Sequence, residues 1–287
     1  MQFLGTAAAD VLPNPFCNCP ICTDARDRGD SGRLRSLFLL DEESLIDCGP
    51  DLASAAMRHR VDLTGIRRIF LTHTHEDHFC PSNAGLLLMS CTRPDVAVDL
   101  YCSEEAAAFM LQASTSIMAM GYGLLDSVEA VEKEIVRICP VLPGRGFDAG
   151  GYQVMPVRTT HRASGVETAL NYRFTKNGRS ILYACDTGWY VKESLELLRN
   201  SQLDVLVMEG TWGSRDDQPE DSHLHGRAFV RELEIFSDYK IIRSDTRIFC
   251  THINHKHEWN HEAYQAFFDS ATPFHVTVAR DGMKVDL

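Results

Sequence analysis

The chain has 287 residues, 44% hydrophobic and 24% charged, which is enough to bury a sizeable core in one large domain. Its 28 basic and 40 acidic side chains leave a net charge of −12 at pH 7, which works against a broad electrostatic grip on nucleic acid. No run of about 18 uninterrupted apolar residues exists, so no membrane span is expected. The opening "MQFLGTAAADVLPNPF" lacks a basic region followed by a long apolar core; a cytoplasmic chain with reduced cysteines is the expectation.

In chain order, "MQFLG" reads as a first strand, followed by the Pro- and Cys-containing loop "VLPNPFCNCPIC". "RLRSLFLL" and "SLIDCG" flank the turn "DEE" as a hairpin. "PDLASAAMRHR" reads as a helix with Asp51 near its start, and "IRRIFL" as a strand. Residues 81 to 135 are mostly helical in character, interrupted by the strand-like "VAVDLYC". Within them a helical insertion near 103–135 carries "STSIMAMGYGLLDS", an insertion or lid whose Met stripe suits core or interface, and whose apolar helices would pair subunits in a homodimer. The second half opens on strands, "YQVMPVRTT" and "ALNYRFTKNGRSILYACD", the latter a hairpin turning at "KNG". "YVKESLELLRN", "HGRAFVRELEIFSD" and "WNHEAYQAFFDS" read as helices, "LDVLVMEG" and "TRIFCTH" as buried strands, and "FHVTVARDGMKVDL" as two short strands around "RDG". Two sheet-plus-helix halves in one domain, an α/β architecture, fit this order.

The strand "IRRIFL" runs into "THTHEDH", which places His73, His75, Asp77 and His78 within six residues. Imidazole nitrogen and carboxylate oxygen suit zinc, manganese and iron. These are more ligands than one catalytic zinc with an open position uses, and two adjacent ions would use them all. His161 ends "PVRTTH", Asp186 ends "SILYACD" and His252 ends "RIFCTH". Each occupies the C-terminal tip of a strand, where open sheets place their sites. A second cluster, "CNCPIC", sets Cys17, Cys19 and Cys22 within six residues. Thiolates this close repel one another unless a cation neutralises them, and a tetrahedral zinc needs a fourth ligand, for which His255 is the candidate. The other cysteines, Cys48, Cys80, Cys91, Cys102, Cys139, Cys185 and Cys250, are scattered singly and read as small buried hydrophobes.

"THTHEDH", the isolated His161, "ACDTG" and "THINH", with "LIDCG" before them and "DGMKVDL" at the end, resemble the metal-binding series of the metallo-β-lactamase superfamily over nearly the whole chain. The resemblance implies a four-layer αβ/βα sandwich with a dinuclear site along one edge. It implies His73, His75 and His161 on one ion, Asp77, His78 and His252 on the other, and Asp186 bridging them. Within the superfamily, the three cysteines resemble the N-terminal zinc site of the carbon–phosphorus lyase-associated phosphodiesterases and the pyrroloquinoline quinone biosynthesis B proteins. That implies a small zinc-binding loop at 13–26 with a structural zinc on Cys17, Cys19, Cys22 and His255, with His257 and His261 as nearby alternatives. The same branch implies a histidine before a helix as proton donor, matched by His223 in "DSHLHGRAF", with His225 as competitor.

Together these imply a metal-dependent hydrolase, a phosphodiesterase for small or cyclic phosphodiesters, in which a hydroxide between two ions, oriented by Asp77 or Asp186, attacks phosphorus. The ions would be zinc or manganese, or iron. Competing readings are a lactonase or thioesterase acting on a carbonyl, a ribonuclease Z-like nuclease, which would need a long basic arm for tRNA, and a non-catalytic cofactor-biosynthesis accessory protein.

Overall fold

The computed structural model describes residues 1–29, 32–86, 97–110, 136–163 and 165–286. Strand β1 (Gln2–Gly5) pairs antiparallel with β2 (Leu37–Asp41), and β2 with β3 (Ser44–Ile46). From β3 the sheet continues in parallel through β4 (Arg68–Phe70), β5 (Val98–Cys102) and β6 (Val136–Pro140). The second sheet repeats the scheme. Strands β7 (Phe147–Ala149), β8 (Tyr152–Arg162), β9 (Thr168–Lys176) and β10 (Arg179–Ala184) are antiparallel neighbours. Strands β11 (Val205–Glu209), β12 (Arg247–Thr251) and β13 (Val276–Val278) then extend β10 in parallel. The β9–β10 hairpin turns through Asn177 and Gly178 at φ +52° and +75°, the left-handed pair that a tight two-residue hairpin requires.

Side chains alternate between the faces of a strand, and that alternation builds the layers. Ile46, Phe70, Tyr172, Phe174, Ile181, Tyr183, Val205 and Val207 meet between the two sheets. Leu182, Leu206, Met208 and Ile248 face the other way, onto Leu195 of α4 (Lys192–Leu198), Phe229 and Phe236 of α5 (Gly226–Asp238) and Phe268 of α6 (His261–Ala271). Leu45, Ile69 and Leu100 face outward from the first sheet, onto Ala55 of α2 (Leu52–His59) and onto Ala106 and Met110 in the helical residues 104–110, while the short α3 (Pro81–Gly85) lies between β4 and β5 in the chain. Each large apolar side chain buried this way contributes about 1.5–3 kcal/mol. The expected four-layer αβ/βα sandwich is the architecture of the chain.

Several elements differ from the sequence reading. The segment read as a loop at 13–26 turns helical at α1 (Pro20–Arg28), with the Cys19 sulfur as N-cap acceptor and Pro at the first position; a thiol cap carries no propensity signal. Strands β6 and β7 were not expected; β6 follows directly on the stretch read as helical, and β7 has only three residues. Of the two strands expected around "RDG" only β13 forms. Beyond it Lys284 makes a single bridge to Gln2, and Val285 donates its N–H to the Met1 carbonyl, so the end of the chain docks on the β1 edge. The insertion near 103–135 is helical from residue 104 to 110, and its remainder, with the Met-bearing segment, lies outside the described residues. Cys80 and Cys139, expected inside, are only half-buried. Among the described residues no helix is long and apolar enough to cross a membrane.

Candidate metal centre

The parallel strands of both sheets end at one edge of the sandwich, and their C-terminal tips carry the polar residues. Asp47 follows β3, Asp186 lies two residues beyond β10, Glu209 closes β11 and His252 follows β12. His73, His75, Asp77 and His78 occupy the turn after β4, which ends at Phe70, so the two histidines expected on a strand end sit just past it. His161 lies in the last residues of β8. Asp47, Asp186 and His252 hold φ of +65°, +49° and +55°, a left-handed conformation uncommon outside glycine and concentrated at functional sites.

Three groups of close donor atoms share Asp186: with His73, His75 and His161; with His78, Cys185 and His252; and with Glu209, His223 and His252. In the first, His73 Nε2 lies 2.9 Å from His75 Nδ1, which lies 3.1 Å from His161 Nε2. Asp186 Oδ2 is 3.5 Å from the Nε2 atoms of both His73 and His161. In the second, His78 Nε2 and His252 Nε2 are 3.3 Å apart. Asp77 Oδ2 lies 3.3 and 3.5 Å from them, and Asp186 Oδ1 is 3.0 Å from His252 Nε2.

The outer nitrogens decide what these atoms are. His78 Nδ1 is 2.7 Å from Asp47 Oδ2, so the ring donates there. The Thr72 hydroxyl gives its one proton to Asp47 Oδ1 at 2.8 Å, so His73 Nδ1, 3.1 Å away, donates to Thr72 Oγ1. The Thr211 hydroxyl donates to Glu209, so His252 Nδ1 donates to Thr211 Oγ1 at 2.8 Å. His161 Nδ1 donates to the Ser222 carbonyl at 3.0 Å. With each outer N–H committed, four Nε2 lone pairs point inward at one another. Lone pairs converging at these distances repel unless a cation lies among them, and nitrogen and carboxylate donors suit a divalent one.

Electrostatics divides the rings: His73 and His161 are held neutral, whereas the carboxylates favour at His78 and His252 a positive charge that a bound cation would supply in place of the proton. Burial, with the neighbouring imidazoles, holds the His73 pKa well below its ordinary value, and burial lowers that of His161 too. At His78 burial opposes protonation, but the Asp77, Asp47 and Asp186 carboxylates outweigh it and raise the pKa well above ordinary. His252 is likewise raised, to about 10, by Asp186 and Asp77 against burial. Burial works against ionisation of Asp77 and Asp186, yet the surrounding imidazoles hold both below the usual carboxylate range.

His223 joins this edge from the loop before α5. Its Nδ1 is 3.2 Å from Glu209 Oε1 and 3.7 Å from Asp186 Oδ1, and its ring centre is 4.7 Å from that of His161. Burial opposes its protonation, and Glu209 and Asp186 outweigh it and raise its pKa. Glu209 Oε1 also accepts the N–H groups of Thr187 and Gly188, at 3.0 and 3.3 Å, so one carboxylate fixes His223, the turn after Asp186 and, through Thr211, His252. The competitor His225 is the N-cap of α5, accepting from Ala228 N at 3.2 Å, with Nε2 2.8 Å from Glu220. The structure therefore places His223, and not His225, with the donors.

Cys17, Cys19, Cys22 and His255 form a separate group of mutually close donor atoms, with Cys19 Sγ 3.6 Å from His255 Nδ1. Backbone N–H groups point at all three sulfurs: Cys19 N at Cys17 Sγ (3.4 Å), Cys22 N at Cys19 Sγ (3.5 Å) and Asn14 N at Cys22 Sγ (3.4 Å). Burial raises the Cys22 thiol to about 12, whereas at Cys19 the bonds from Cys22 N and His255 outweigh burial and lower it to about 7. The alternatives His257 and His261 lie elsewhere: His257 Nδ1 accepts from Trp259 N at 3.1 Å, and His261 bonds Arg33 and Arg280 at 3.0 and 3.1 Å.

Asp47, Thr72, Glu209 and Thr211 are partners the ligand motifs alone do not name. Asp47 and Glu209 carry the same signal as Asp186, an acidic residue closing an apolar strand, in "SLIDCG" and "LDVLVMEG". Glu167, in the loop after His161, accepts from Thr74 N at 2.8 Å and from the Thr74 hydroxyl, tying that loop to the histidine turn. Beside His161 opens a groove of about 1070 Å³ with Thr160, Arg162, Val166, Trp189 and Asp221 on its walls.

The model of the beta-lactamase superfamily domain matches residues 43–253. The chain is 26% identical over 221 residues to ribonuclease Z of Rippkaea orientalis, covering 63% of this chain and 68% of that protein. It is 27% identical over 234 residues to coenzyme PQQ synthesis protein B of Methylobacterium nodulans, covering 75% and 73%. Among solved structures, a diphosphatase of the PhnP family superposes with a TM-score of 0.74 at 23% identity, over 100% of this chain and 96% of that one.

Proposed function

The chain belongs to the β-lactamase superfamily and has the metallo-β-lactamase fold, and on that premise we propose that it is a metal-dependent hydrolase of small or cyclic phosphodiesters. In this reading His73, His75 and His161 hold one divalent ion, Asp77, His78 and His252 the other, and Asp186 gives an oxygen to each; Cys17, Cys19, Cys22 and His255 hold a structural zinc. The observation that carries the reading is the pair of inward-facing donor sets sharing Asp186, with the outer N–H groups of His73, His78, His161 and His252 already bonded.

Divalent ions bound there supply a nucleophile from water near neutral pH and offset charge on phosphoryl oxygens. The chain's own groups do the rest. Asp77 or Asp186, held anionic, would orient the attacking water. Glu209 fixes the His223 ring through Nδ1 and favours its charged form, leaving Nε2 as the atom that passes a proton to the departing alkoxide. An alkoxide needs that proton far more than a carboxylate or thiolate leaving group, which favours a phosphodiester over a thioester. The names ribonuclease and diphosphatase, borne by two of the similar proteins, both denote attack at phosphorus.

The test compares one metal-loaded sample on bis-p-nitrophenyl phosphate, a 2′,3′-cyclic nucleotide, a phosphomonoester, a lactone and a thioester. Diester turnover above the others by an order of magnitude or more is expected. Lactone or thioester turnover exceeding it overturns the assignment in favour of carbonyl chemistry, and no turnover on any substrate favours an accessory role.

A further inference from the structure

Cys185 reads from the sequence as one more buried thiol, but its place in the fold gives it another role. It follows β10 directly and precedes Asp186. Strand alternation turns it, like Tyr183, to the face between the sheets, and at the strand tip that face lies beneath the metal centre. Its sulfur belongs to a group with the ligand atoms of His78, Asp186 and His252, all within 4.8 Å of one another, and every member of the group is buried. Sγ is 4.0 Å from Asp186 Oδ1, and 3.6 Å from Ser36 Oγ on its other side.

We propose that Cys185 is a thiolate ligand of the ion held by Asp77, His78, His252 and Asp186, and that it makes this position selective for a thiophilic cation, zinc, over manganese.

Bonds of about 2.0–2.1 Å to nitrogen and 2.3 Å to sulfur put neighbouring ligand atoms of one ion roughly 3–3.8 Å apart. His78 Nε2 and His252 Nε2, 3.3 Å apart, already meet that spacing, and Sγ stands 4.0 Å from Asp186 Oδ1, just outside it. On binding, the S–H bond gives way to a sulfur–metal bond and the proton leaves to buffer. The chemistry separates the two positions. Imidazole and carboxylate alone accept zinc, manganese or iron according to supply, whereas a thiolate ligand favours the softer ion. The donors gathered at His73, His75 and His161 include no sulfur, so the centre holds one selective and one permissive position.

The inference rests on the dinuclear reading above, and cadmium-113 NMR of the cadmium-loaded full chain tests both, because each sulfur ligand moves the resonance downfield. Three resonances are expected: one far downfield from the three-cysteine group, one intermediate from the position with Cys185, and one in the nitrogen/oxygen range. In Cys185→Ala the intermediate resonance moves into the nitrogen/oxygen range and the other two stay. Zinc–manganese competition at that position then loses its preference for zinc. Three resonances without an intermediate one, in the unmodified chain alone, overturn the ligand role and leave the dinuclear reading standing; a variant spectrum that matches the unmodified one does the same. A far-downfield resonance accompanied by only one other contradicts the dinuclear reading and overturns the inference with it.

Discussion

Replacing Asp47 with Asn isolates the effect of one hydrogen bond on one ion. Asp47 sits past β3 at φ +65°, a conformation Asn tolerates as well as Asp, so the backbone has no reason to move. Its Oδ1 accepts from Thr72 N and Thr72 Oγ1, each at 2.8 Å, and the Asn oxygen keeps both bonds. The change falls on the other atom, 2.7 Å from His78 Nδ1. An amide N–H donates where the carboxylate accepted, so the ring must turn a lone pair outward and carry its proton on Nε2, the atom facing Asp77, Asp186 and His252. Flipping the amide instead sets N–H against the Thr72 N–H and leaves that buried donor unpaired. Removing an outer-shell partner of this kind costs about 10–100-fold in metal affinity, or roughly 1.4–2.7 kcal/mol. Competition with a chromophoric chelator, on chain stripped of metal, measures it. One of the three ions should weaken by that factor while the other two keep their affinities. Three unchanged constants in a folded variant would refute the assignment of His78 as a ligand oriented by Asp47.

His223→Ala should lower turnover by about 10²–10⁴-fold on a diester with an alkyl leaving group and far less on bis-p-nitrophenyl phosphate, whose leaving group needs no proton, with metal content unchanged; equal losses on both substrates would remove the proton-donor role. Cys22→Ser should release one ion per chain, measured by elemental analysis, and lower the melting temperature by several degrees; an unchanged ion count contradicts the structural site. Glu232, on α5, is buried with Oε2 unpartnered, and burial raises its pKa from 4.5 to about 7. The folded chain thus holds a proton that the unfolded chain gives up near pH 4.5. Its destabilising effect is absent below about pH 4.5, grows as pH rises to about 7, and then stays at up to roughly 3 kcal/mol. Calorimetry of Glu232→Gln should show a higher melting temperature at pH 8 and little change at pH 4.5; equal shifts at both contradict the burial argument.

Much of the candidate site was legible because donor side chains are expensive to bring together unless strands deliver them. "THTHEDH" supplies four from one turn, and His161, Asp186 and His252 each stand at or just past a strand end. The choice between His223 and His225 was not legible, since both lie at the start of one helix and only packing shows that His225 caps α5 while His223 meets Glu209. Helix α1 escaped for a related reason: its cap is a cysteine sulfur, and the helix exists partly to aim Cys19 and Cys22 at His255. β6 was missed because it follows a long helical-looking stretch, and its pairing to β5 depends on a neighbour remote in sequence. Cys185 shows the limit from the other side. As a single cysteine between two strong motifs it carries no pattern, and only the fold brings its sulfur under the ligands.

The most direct test is a metal titration of chelator-stripped chain with its structural zinc retained, followed by turnover of bis-p-nitrophenyl phosphate. The account predicts that activity rises with added zinc or manganese until two equivalents are bound and then levels off. Saturation at one equivalent, or two tightly bound ions with no diester hydrolysis, would contradict it.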